Sequence, residues 1–407
     1  MSWYRAPHVQ IFLCLFVAAC ATRAPQETPP PEPQPEVSEQ VEPPQPAPEM
    51  AEPVQPDTTP EPPPEEPRQP VRVCAGGDML LGNNLDTLWA ARAGARLGQP
   101  VAAFPSPDSL LAPLRPLVSD ANVVLLNIEG AIGEGPAPSK CRPGSTTCYA
   151  FRQPTEVARA LGRFADSAAR VVGNVANNHA LDAGLDGWHS TIRHLAEAGI
   201  EATGNDTLPT LVVSPSGRDT IAFLGFSTFR AGVDARDLSG VRRHVARAFA
   251  RYRRVVVSVH MGAEGRDAQR TSDATEMFLG ENRGNPVEFA RIATESGAAL
   301  VIGHGPHVLR AAEWRGDALV FYSLGNLLTY GPFNQREPNS RGGIACASID
   351  EAGRISEAAF RPTVQRSPGL VSSDLSGRGS FLVDSLSRLD FPLSGGRVQA
   401  DGEIVRR

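Results

Sequence analysis

The sequence predicts an α/β protein built around a largely buried sheet, and two patterns support this fold class. Short apolar runs of strand length recur, and several are nearly continuous in Val, Ile and Leu, which is typical of strands buried on both faces. Stretches with the apolar spacing of helices lie between most of these runs. The predicted strands are 71–75, 122–128, 170–175, 221–226, 254–259, 298–302 and 318–322, and the predicted helices are 156–168, 186–198, 240–252 and 286–296.

Residues 1–20 predict an export signal. Arg5 precedes an apolar run, residues 9–19, that is too short to cross a bilayer as a helix. The run ends in Val-Ala-Ala-Cys, with Cys20 in the last place, and this ending is similar to the lipobox at which bacterial lipoproteins are cleaved and acylated. A buried apolar helix is the alternative. We therefore expect a lipoprotein anchored to a membrane at Cys20, in the cell envelope and facing the periplasm or the exterior.

Residues 21–70 predict a disordered Pro/Glu-rich linker. They hold 18 of the 37 prolines and 11 acidic residues against two arginines, and they carry almost no large apolar side chains that could form a core. The acidic charge of the chain is concentrated there, so the remainder, residues 71–407, is close to neutral. We expect no nucleic-acid partner, because the folded part lacks the basic excess that nucleic-acid binding requires.

Four cysteines lie beyond the signal and the anchor. Cys141 and Cys148 are close enough in sequence to close a short loop, and in an exported protein we predict that they form a disulfide. A zinc site there is less favoured because no histidine or further cysteine lies nearby. Cys74 and Cys346 lie in apolar stretches and are predicted to be buried thiols.

Polar residues follow six of the predicted strands at their carboxyl ends. In α/β sheets ligands bind outside these ends, so we expect the six groups to converge on one crevice. Each residue alone has a structural interpretation, such as a helix cap or a hydrogen-bonded core histidine. Together their carboxylate, amide and imidazole groups suit one or two divalent ions of Mn, Fe or Zn. The candidate ligands are Asp78, Glu129, Asn178, His260, His304 and His307.

Six sequence blocks at these strand ends resemble the CapA capsule-synthesis family. This family is associated with poly-γ-glutamate and is related to calcineurin-like metallophosphoesterases. The resemblance extends over about residues 71–330. The blocks are Gly77-Asp-Met-Leu-Leu-Gly82, Asn127-Ile-Glu-Gly130, Ala176-Asn-Asn-His-Ala-Leu-Asp-Ala-Gly184, His260-Met-Gly-Ala-Glu264, Gly303-His-Gly-Pro-His307 and Tyr322-Ser-Leu-Gly-Asn326.

The resemblance implies a four-layer α/β/β/α sandwich of the metallophosphoesterase type over residues 71–365. A C-terminal extension, 366–407, would pack on this domain or trail from it. The six candidate ligands fall on metal-ligand positions of the family, and His179 falls where the phosphoesterases keep a catalytic acid. Leu80 occupies the position of a phosphoesterase histidine, and the final histidine pair is spaced by three residues rather than two. These departures leave the number of ions at one or two.

Two residues in these blocks are candidates for substrate binding. Glu264 follows His260 by four residues and can also be a solvated loop acid, whereas Asn326 ends the last block. Asp182 is expected to fix the Asn-Asn-His turn by hydrogen bonding.

The predicted helix 240–252 carries a stripe of three arginines, Arg243, Arg247 and Arg251. Such a stripe is usually a solvated helix face. Docking of a polyanion is the alternative.

The sequence therefore predicts a capsule-synthesis-type protein that handles an anionic cell-surface polymer similar to poly-γ-glutamate. Metal-assisted hydrolysis or transfer is the expected chemistry, with capsule-synthesis machinery as a partner. Two alternatives stay open: a non-catalytic polymer-binding or export factor with a degenerate metal site, and a general phosphoesterase. Kinship of fold does not choose among the three.

Overall fold

The computed structural model describes residues 68–82, 105–135, 140–141, 148–166, 168–331 and 333–407. These residues all belong to one structural unit, Glu65–Arg407. The predicted signal peptide with Cys20, and nearly all of the predicted linker, lie outside the described residues. Among the helices that the structure describes, none combines the length and apolar character needed to cross a bilayer.

The described chain alternates strands and helices through its first two thirds and is richer in strands thereafter. The helices are α1 (Pro107–Leu111), α2 (Glu156–Gly162), α3 (Gly184–Glu197), α4 (Leu238–Phe249), α5 (Pro286–Glu295) and α6 (Arg378–Asp390), with 3₁₀ helices at Ala112–Val118 and Arg266–Ala268. The strands are β1 (Val71–Leu80), β2 (Val123–Ile128), β3 (Ala131–Ile132), β4 (Arg152–Gln153), β5 (Arg170–Asn174), β6 (Ile200–Thr203), β7 (Thr210–Val213), β8 (Thr220–Ser227), β9 (Val233–Asp234), β10 (Arg254–His260), β11 (Met277–Phe278), β12 (Glu281–Asn282), β13 (Leu300–His304), β14 (Ala312–Arg315), β15 (Ala318–Phe321), β16 (Asn326–Thr329), β17 (Arg341–Ile349), β18 (Ile355–Arg366), β19 (Leu370–Ser373), β20 (Arg397–Val398) and β21 (Ile404–Val405).

Two large sheets contain most of these strands. The first has eight strands in the order β19-β18-β17-β1-β2-β5-β6, with β16 beside the far end of β1. The second has seven, in the order β14-β15-β13-β10-β8-β7, with β9 beside β8. The central strands β1, β2 and β5 run parallel in the first sheet, as do β8, β10, β13 and β15 in the second. Parallel strands point their carboxyl ends to the same edge of a sheet, so each sheet presents one such edge.

Three apolar clusters form the core. One combines residues of both sheets, such as Val73 and Phe223, and therefore lies between them. The second joins the first sheet to α1, α2 and α3 through residues such as Leu161, and the third joins the second sheet to α4 and α5 through residues such as Phe289. The predicted α/β class is confirmed, with more than one sheet and with helices packed on both.

The C-terminal residues, 366–407, pack on the domain. Val383 of α6 belongs to the cluster between the sheets, and Leu386 one turn later belongs to the cluster under α4 and α5. Strands β18 and β19 extend the first sheet across the predicted boundary at residue 365. The structure therefore has no break in the fold at that position.

Two sequence expectations need correction. The first strand does not end at Ala75: it continues to Leu80 because β16 pairs with its far end, so Asp78 lies within the strand at a register shift. Cys74 and Cys346 are not free thiols but form a disulfide, because antiparallel pairing of β1 with β17 sets them directly opposite each other. The structure also pairs Cys141 with Cys148.

Candidate metal centre

The carboxyl ends of the central strands bring the predicted ligands together from both sheets. Asp78 lies in β1 and Glu129 directly follows β2, in the first sheet, whereas His260 and His304 end β10 and β13 of the second. Parallel register sets His260 beside His304. His307 lies three residues further along, in the turn after β13. The strand order thus assembles a cluster from residues separated by more than 200 positions in sequence.

The ligand atoms of this cluster are close to one another. One atom each of Asp78, Glu129 and His307 lies within 4.8 Å of the other two. His307 Nδ1 is 3.0 Å from Asp78 Oδ2, and its Nε2 is 3.5 Å from Glu129 Oε1. His304 Nδ1 lies 3.4 Å from Asp78 Oδ1, and His260 Nε2 lies 3.9 Å from Glu129 Oε1. Such spacing allows several donors to reach a common ion.

The cluster is buried, and several of its polar atoms have no hydrogen bond. Asp78, Glu129, His260 and His304 are each at most 2% exposed, whereas the side chain of His307 is 23% exposed. Glu129 Oε1, His260 Nε2 and both ring nitrogens of His304 lack a hydrogen-bond partner among the described residues. Buried polar groups normally have partners, because desolvation without one costs free energy. The donor set of carboxylate oxygens and imidazole nitrogens fits a divalent cation, which would satisfy these atoms.

Burial and mutual interactions shift the pKa values of the cluster in opposite directions. Burial raises the pKa of Glu129 well above its usual value and lowers that of His260 well below. Burial also acts to raise the pKa of Asp78, but the nearby imidazoles of His304 and His307 hold it well below its usual value. Burial lowers the pKa of His307, but the charges of Glu129 and Asp78 more than reverse this and raise it. A bound cation would favour ionised carboxylates and neutral imidazoles throughout the cluster.

The turn that carries His307 has an unusual backbone. His307 adopts φ of 57°, a left-handed conformation that is uncommon for a residue with a side chain. Gly305 has φ of 106°, and a Cβ at this position would lie 3.0 Å from the His260 imidazole. The Gly305 N–H points at Asp78 Oδ2, 3.3 Å away. Backbone strain of this kind is concentrated at functional sites, and here it directs two histidines to the same carboxylate.

Asn127 is a buried residue of the site that sequence reasoning missed. Its Nδ2 donates to Asp78 Oδ1 at 2.8 Å and lies 3.3 Å from His260 Nδ1. Its Oδ1 in turn accepts from Asn174 at 3.0 Å. Residues that hydrogen-bond to metal ligands fix the orientation of those ligands. Asn127 does this for Asp78 of the first sheet and also contacts His260 of the second. Its place two residues before Glu129, in the same strand-end block, was the available signal.

His179 lies in the turn after β5 and is oriented by Asp182. Its Nδ1 is 2.6 Å from Asp182 Oδ2, which also accepts from the backbone N–H of Phe151 at 2.7 Å. The ring packs against that of Phe151 at 4.3 Å between centroids, and burial lowers the pKa of His179. Asp182 therefore orients the imidazole of His179 as well as the turn. Because Asp182 contacts Nδ1, Nε2 of His179 can interact with another group.

Lys140 is a second residue that sequence reasoning missed. Its Nζ lies 3.2 Å from Asp182 Oδ1 and donates to the carbonyl oxygen of Asn178 at 2.9 Å. It is also the only lysine in the 407-residue sequence, among 39 lysines and arginines, and this was the signal that could have found it.

The remaining predicted site residues have defined places. Asn178 is partly buried and its Oδ1 has no hydrogen bond among the described residues. Asn326 Oδ1 is 3.0 Å from His307 Nδ1, so its described contacts orient a ligand. Glu264 pairs with Arg283 at 2.6 Å. Leu80 is buried, so an apolar side chain stands where the phosphoesterase pattern has histidine.

A cleft of about 930 Å³ lies beside the His179 turn. One part of its lining comes from that turn and from Lys140, and another from the loop after β8. The lining residues are Lys140, Asn177, Asn178, Leu181, Asp182, Thr228, Phe229, Arg230, Ala231, Gly232, Asp234, Arg236, Glu281, Asn282 and Arg283.

Comparison with known proteins gives a family and more distant structural relatives. The family model described as bacterial capsule synthesis protein PGA_cap matches residues 72–330. The chain is 29% identical over 170 residues to the PGA biosynthesis protein CapA of Bacillus subtilis (strain 168), covering 38% of this chain and 41% of that protein. It is 27% identical over 175 residues to the capsule biosynthesis protein CapA of Bacillus anthracis, covering 38% and 39%. The chain thus spans about two fifths of the length of these curated relatives.

One solved structure with a similar course of the chain is a 5'-nucleotidase precursor from Thermus thermophilus. It is 13% identical, covers 79% of this chain and 59% of its own, and has a TM-score of 0.34. With this TM-score the similarity adds nothing to the fold class, which the two sheets and their helices establish by themselves.

Proposed function

The chain belongs to the bacterial capsule synthesis family, whose model matches residues 72–330, and from that premise we propose that it acts on an anionic polymer of the cell surface. The proposed reaction is metal-assisted hydrolysis or transfer at an acyl or phosphoryl centre. The proposed polymer class is the poly-γ-glutamate type, in keeping with the letters PGA in the family description and in that of the Bacillus subtilis relative.

The observation that carries the proposal is the buried cluster of Asp78, Glu129, His260, His304 and His307 with its unbonded polar atoms. A purely structural cluster would pair these atoms with each other or with the backbone. A bound divalent ion supplies Lewis acidity that polarises an acyl or phosphoryl oxygen and activates water.

The residues around the cluster have separate proposed roles. Asn127 and Asn326 hold Asp78 and His307 in place through the hydrogen bonds given above. His179, fixed by Asp182 through Nδ1, donates a proton from Nε2 to the leaving group. Asn178 offers its unbonded Oδ1 as a further ligand. One or two ions of Mn, Fe or Zn suit this donor set.

A non-catalytic polymer-binding or export factor is the second candidate. Leu80 favours it, because a buried leucine occupies a metal-ligand position of the related phosphoesterases. In either role we propose a lipoprotein of the cell envelope, anchored through Cys20 and working with capsule-synthesis machinery.

Metal analysis and turnover assays on the full chain test these roles together. We expect wild-type protein to bind one or two divalent ions and to cleave poly-γ-glutamate, and His304→Ala to lose both properties. Metal without turnover of any substrate would support the binding factor. Cleavage of bis-aryl phosphates but not of the polymer would support a general phosphoesterase, and no bound metal in wild type would refute the metal centre.

A further inference from the structure

We propose that the cleft beside the His179 turn is a subsite for the carboxylate groups of the polymer, and that Arg230 is its specificity-determining residue. The inference rests on the proposed function and adds to it the place and the chemistry of substrate recognition. Arg230 lies outside every sequence block of the predicted site.

The loop after β8, which lines the cleft, also contacts the metal centre. Ser227, the last residue of this strand, is the register partner of His260. The next residue, Thr228, donates its backbone N–H to the carbonyl oxygen of His260 at 3.2 Å, and the ring of Phe229 contacts that of His260 at 5.7 Å between centroids. Arg230 follows directly. A ligand in the cleft therefore lies next to the residues that hold the candidate metal ligands.

The cations that line the cleft differ in how fully they are neutralised. Arg236 pairs with Asp234 at 2.8 Å. Arg283 pairs with Glu264 at 2.6 Å, and its guanidinium also stacks over the ring of Phe229. Arg230 is exposed and forms no ion pair or hydrogen bond with any residue in the described part of the chain. Its guanidinium is therefore available to an anion that enters the cleft.

Lys140 supplies a second cation at a fixed place in the cleft. Its contacts within the described residues are with Asp182 and with the carbonyl oxygen of Asn178, and an ammonium group has three N–H groups with which it can also bind a ligand. Its side chain is 40% exposed. Lysine and arginine differ here, because an ammonium acts as a compact point charge whereas a guanidinium offers a planar fork.

Carboxylate is the anion that this pair fits. The planar guanidinium of Arg230 matches a carboxylate through two parallel hydrogen bonds, and such charge-assisted bonds are strong and directional. A chain of acidic residues presents carboxylates at regular intervals, and it therefore offers a carboxylate to each cation that lines the cleft. Phe229 and Leu181, which also line the cleft, give the intervening methylene groups an apolar surface.

Direct binding measurements on the full chain test the inference without relying on turnover. The probes are a short γ-linked glutamate oligomer and the same oligomer with its free carboxylates converted to amides. We expect Arg230→Gln to weaken binding of the acidic oligomer roughly tenfold to a hundredfold, the loss typical of a hydrogen bond to a charged group. We expect the amidated oligomer to bind weakly and equally to both proteins. Unchanged thermal unfolding would show that the variant is folded.

A matched control separates recognition from general charge. Arg170→Gln removes the same charge from an exposed position at the start of β5, outside the cleft, and should change the affinity less than twofold. Equal losses in the two variants, or no loss in Arg230→Gln, would overturn the proposal. Inorganic polyphosphate that binds as tightly as the glutamate oligomer and depends equally on Arg230 would also overturn it, in favour of a phosphate subsite. Specific, Arg230-dependent binding without turnover would sustain the subsite while refuting catalysis.

Discussion

Charged side chains are buried at both ends of the parallel strands, but their partners differ between the two ends. At the amino ends, Arg254 at the start of β10 pairs with Asp219 just before β8 at 2.7 Å, and both side chains are 5% exposed. At the carboxyl ends, Asp78 and Glu129 lie near each other among histidines and the amide of Asn127, and several polar atoms have no hydrogen bond. At the amino ends opposite charges are paired. At the carboxyl ends two carboxylates lie close together, and several polar atoms have no hydrogen bond.

This difference separates a structural from a functional use of burial. A buried ion pair compensates part of its own desolvation, so it contributes to a stable fold without any ligand. At the carboxyl ends His307, whose pKa is raised, compensates only part of the charge of the two carboxylates, and their free energy falls when a cation binds. A concentration of unbonded carboxylate and imidazole atoms, rather than burial itself, therefore marks the carboxyl ends as the site.

Neutralising one carboxylate at each end of the strands tests this difference most directly. We expect Asp78→Asn to abolish metal binding and to reduce turnover to background. This effect is larger than the roughly 10–100-fold loss of metal affinity that follows removal of a residue hydrogen-bonded to a metal ligand. In the absence of metal, the free energy of unfolding should fall, because the lowered pKa of Asp78 means that the fold stabilises its charge and because the substitution removes the partner of His307. Metal analysis and chemical denaturation measure the two effects. Retained metal in Asp78→Asn would contradict the comparison, and Asp219→Asn is the control that should keep its metal.

A second prediction concerns His179, which has a role at the carboxyl end without being a metal ligand. His179→Gln should lower the rate of polymer cleavage by about 10²–10⁴-fold, the usual contribution of a general acid, and should leave bound metal unchanged. Steady-state kinetics and metal analysis check this. If His179 acts as the acid, aryl substrates with good leaving groups should be much less affected. Equal losses for good and poor leaving groups would argue against a proton-donating role.

A third prediction tests the amino end. Asp219→Ala should destabilise the protein by about 3–5 kcal/mol, because it leaves Arg254 buried without its carboxylate partner. Urea denaturation of the metal-free protein measures the change. The double variant Asp219→Ala with Arg254→Met should recover part of the loss, since no unpaired charge remains. A loss below about 1 kcal/mol in the single variant would show that the pair is not important for stability.

The smallest effect is expected from a half-exposed pair at the amino end. Asp120 binds Arg361 and Arg72, and these partners lower its pKa to about 2 against the opposing effect of burial. Because the folded pKa lies below the unfolded value, the pair stabilises the protein above about pH 4, and this contribution disappears as the pH falls toward 2. Solvent screening of its 44% exposed side chain limits the gain to on the order of 1 kcal/mol.

Denaturation of wild type and Asp120→Asn across this pH range tests the sign. The difference in unfolding free energy should be largest near pH 6 and should close as Asp120 takes up its proton near pH 2. A difference that does not vary with pH would mean that the charge of Asp120 contributes nothing.

The sequence located the strands and most ligands because both depend on local patterns. An apolar run and the polar residue after it are neighbours in sequence, so periodicity placed His260 and His304 at strand ends, and the family resemblance then placed them at ligand positions. Pairing between distant strands has no such local signature. The disulfide of Cys74 with Cys346 depends on the register of β1 with β17, and the full length of β1 depends on β16.

Roles that depend on a distant partner were missed for the same reason. Glu264 stays a candidate for substrate binding, but the sequence carried no sign of the ion pair that its carboxylate forms with Arg283. The loop after β8, with Arg230, carried no signal of its own because no histidine or acidic residue follows that strand directly. Its position beside His260 follows from the order of strands in the second sheet.

Lys140 has a practical consequence for the study of this protein. Apart from a chain terminus, its side chain is the only primary amine in the sequence. Amine-selective reagents would therefore attach a fluorophore or spin label at only one side chain, on the wall of the cleft, besides the chain terminus, with no need to engineer a cysteine into a chain that already uses cysteines in disulfides. A label at this position would report ligand entry directly, and polymer bound in the cleft would protect the amine from reaction.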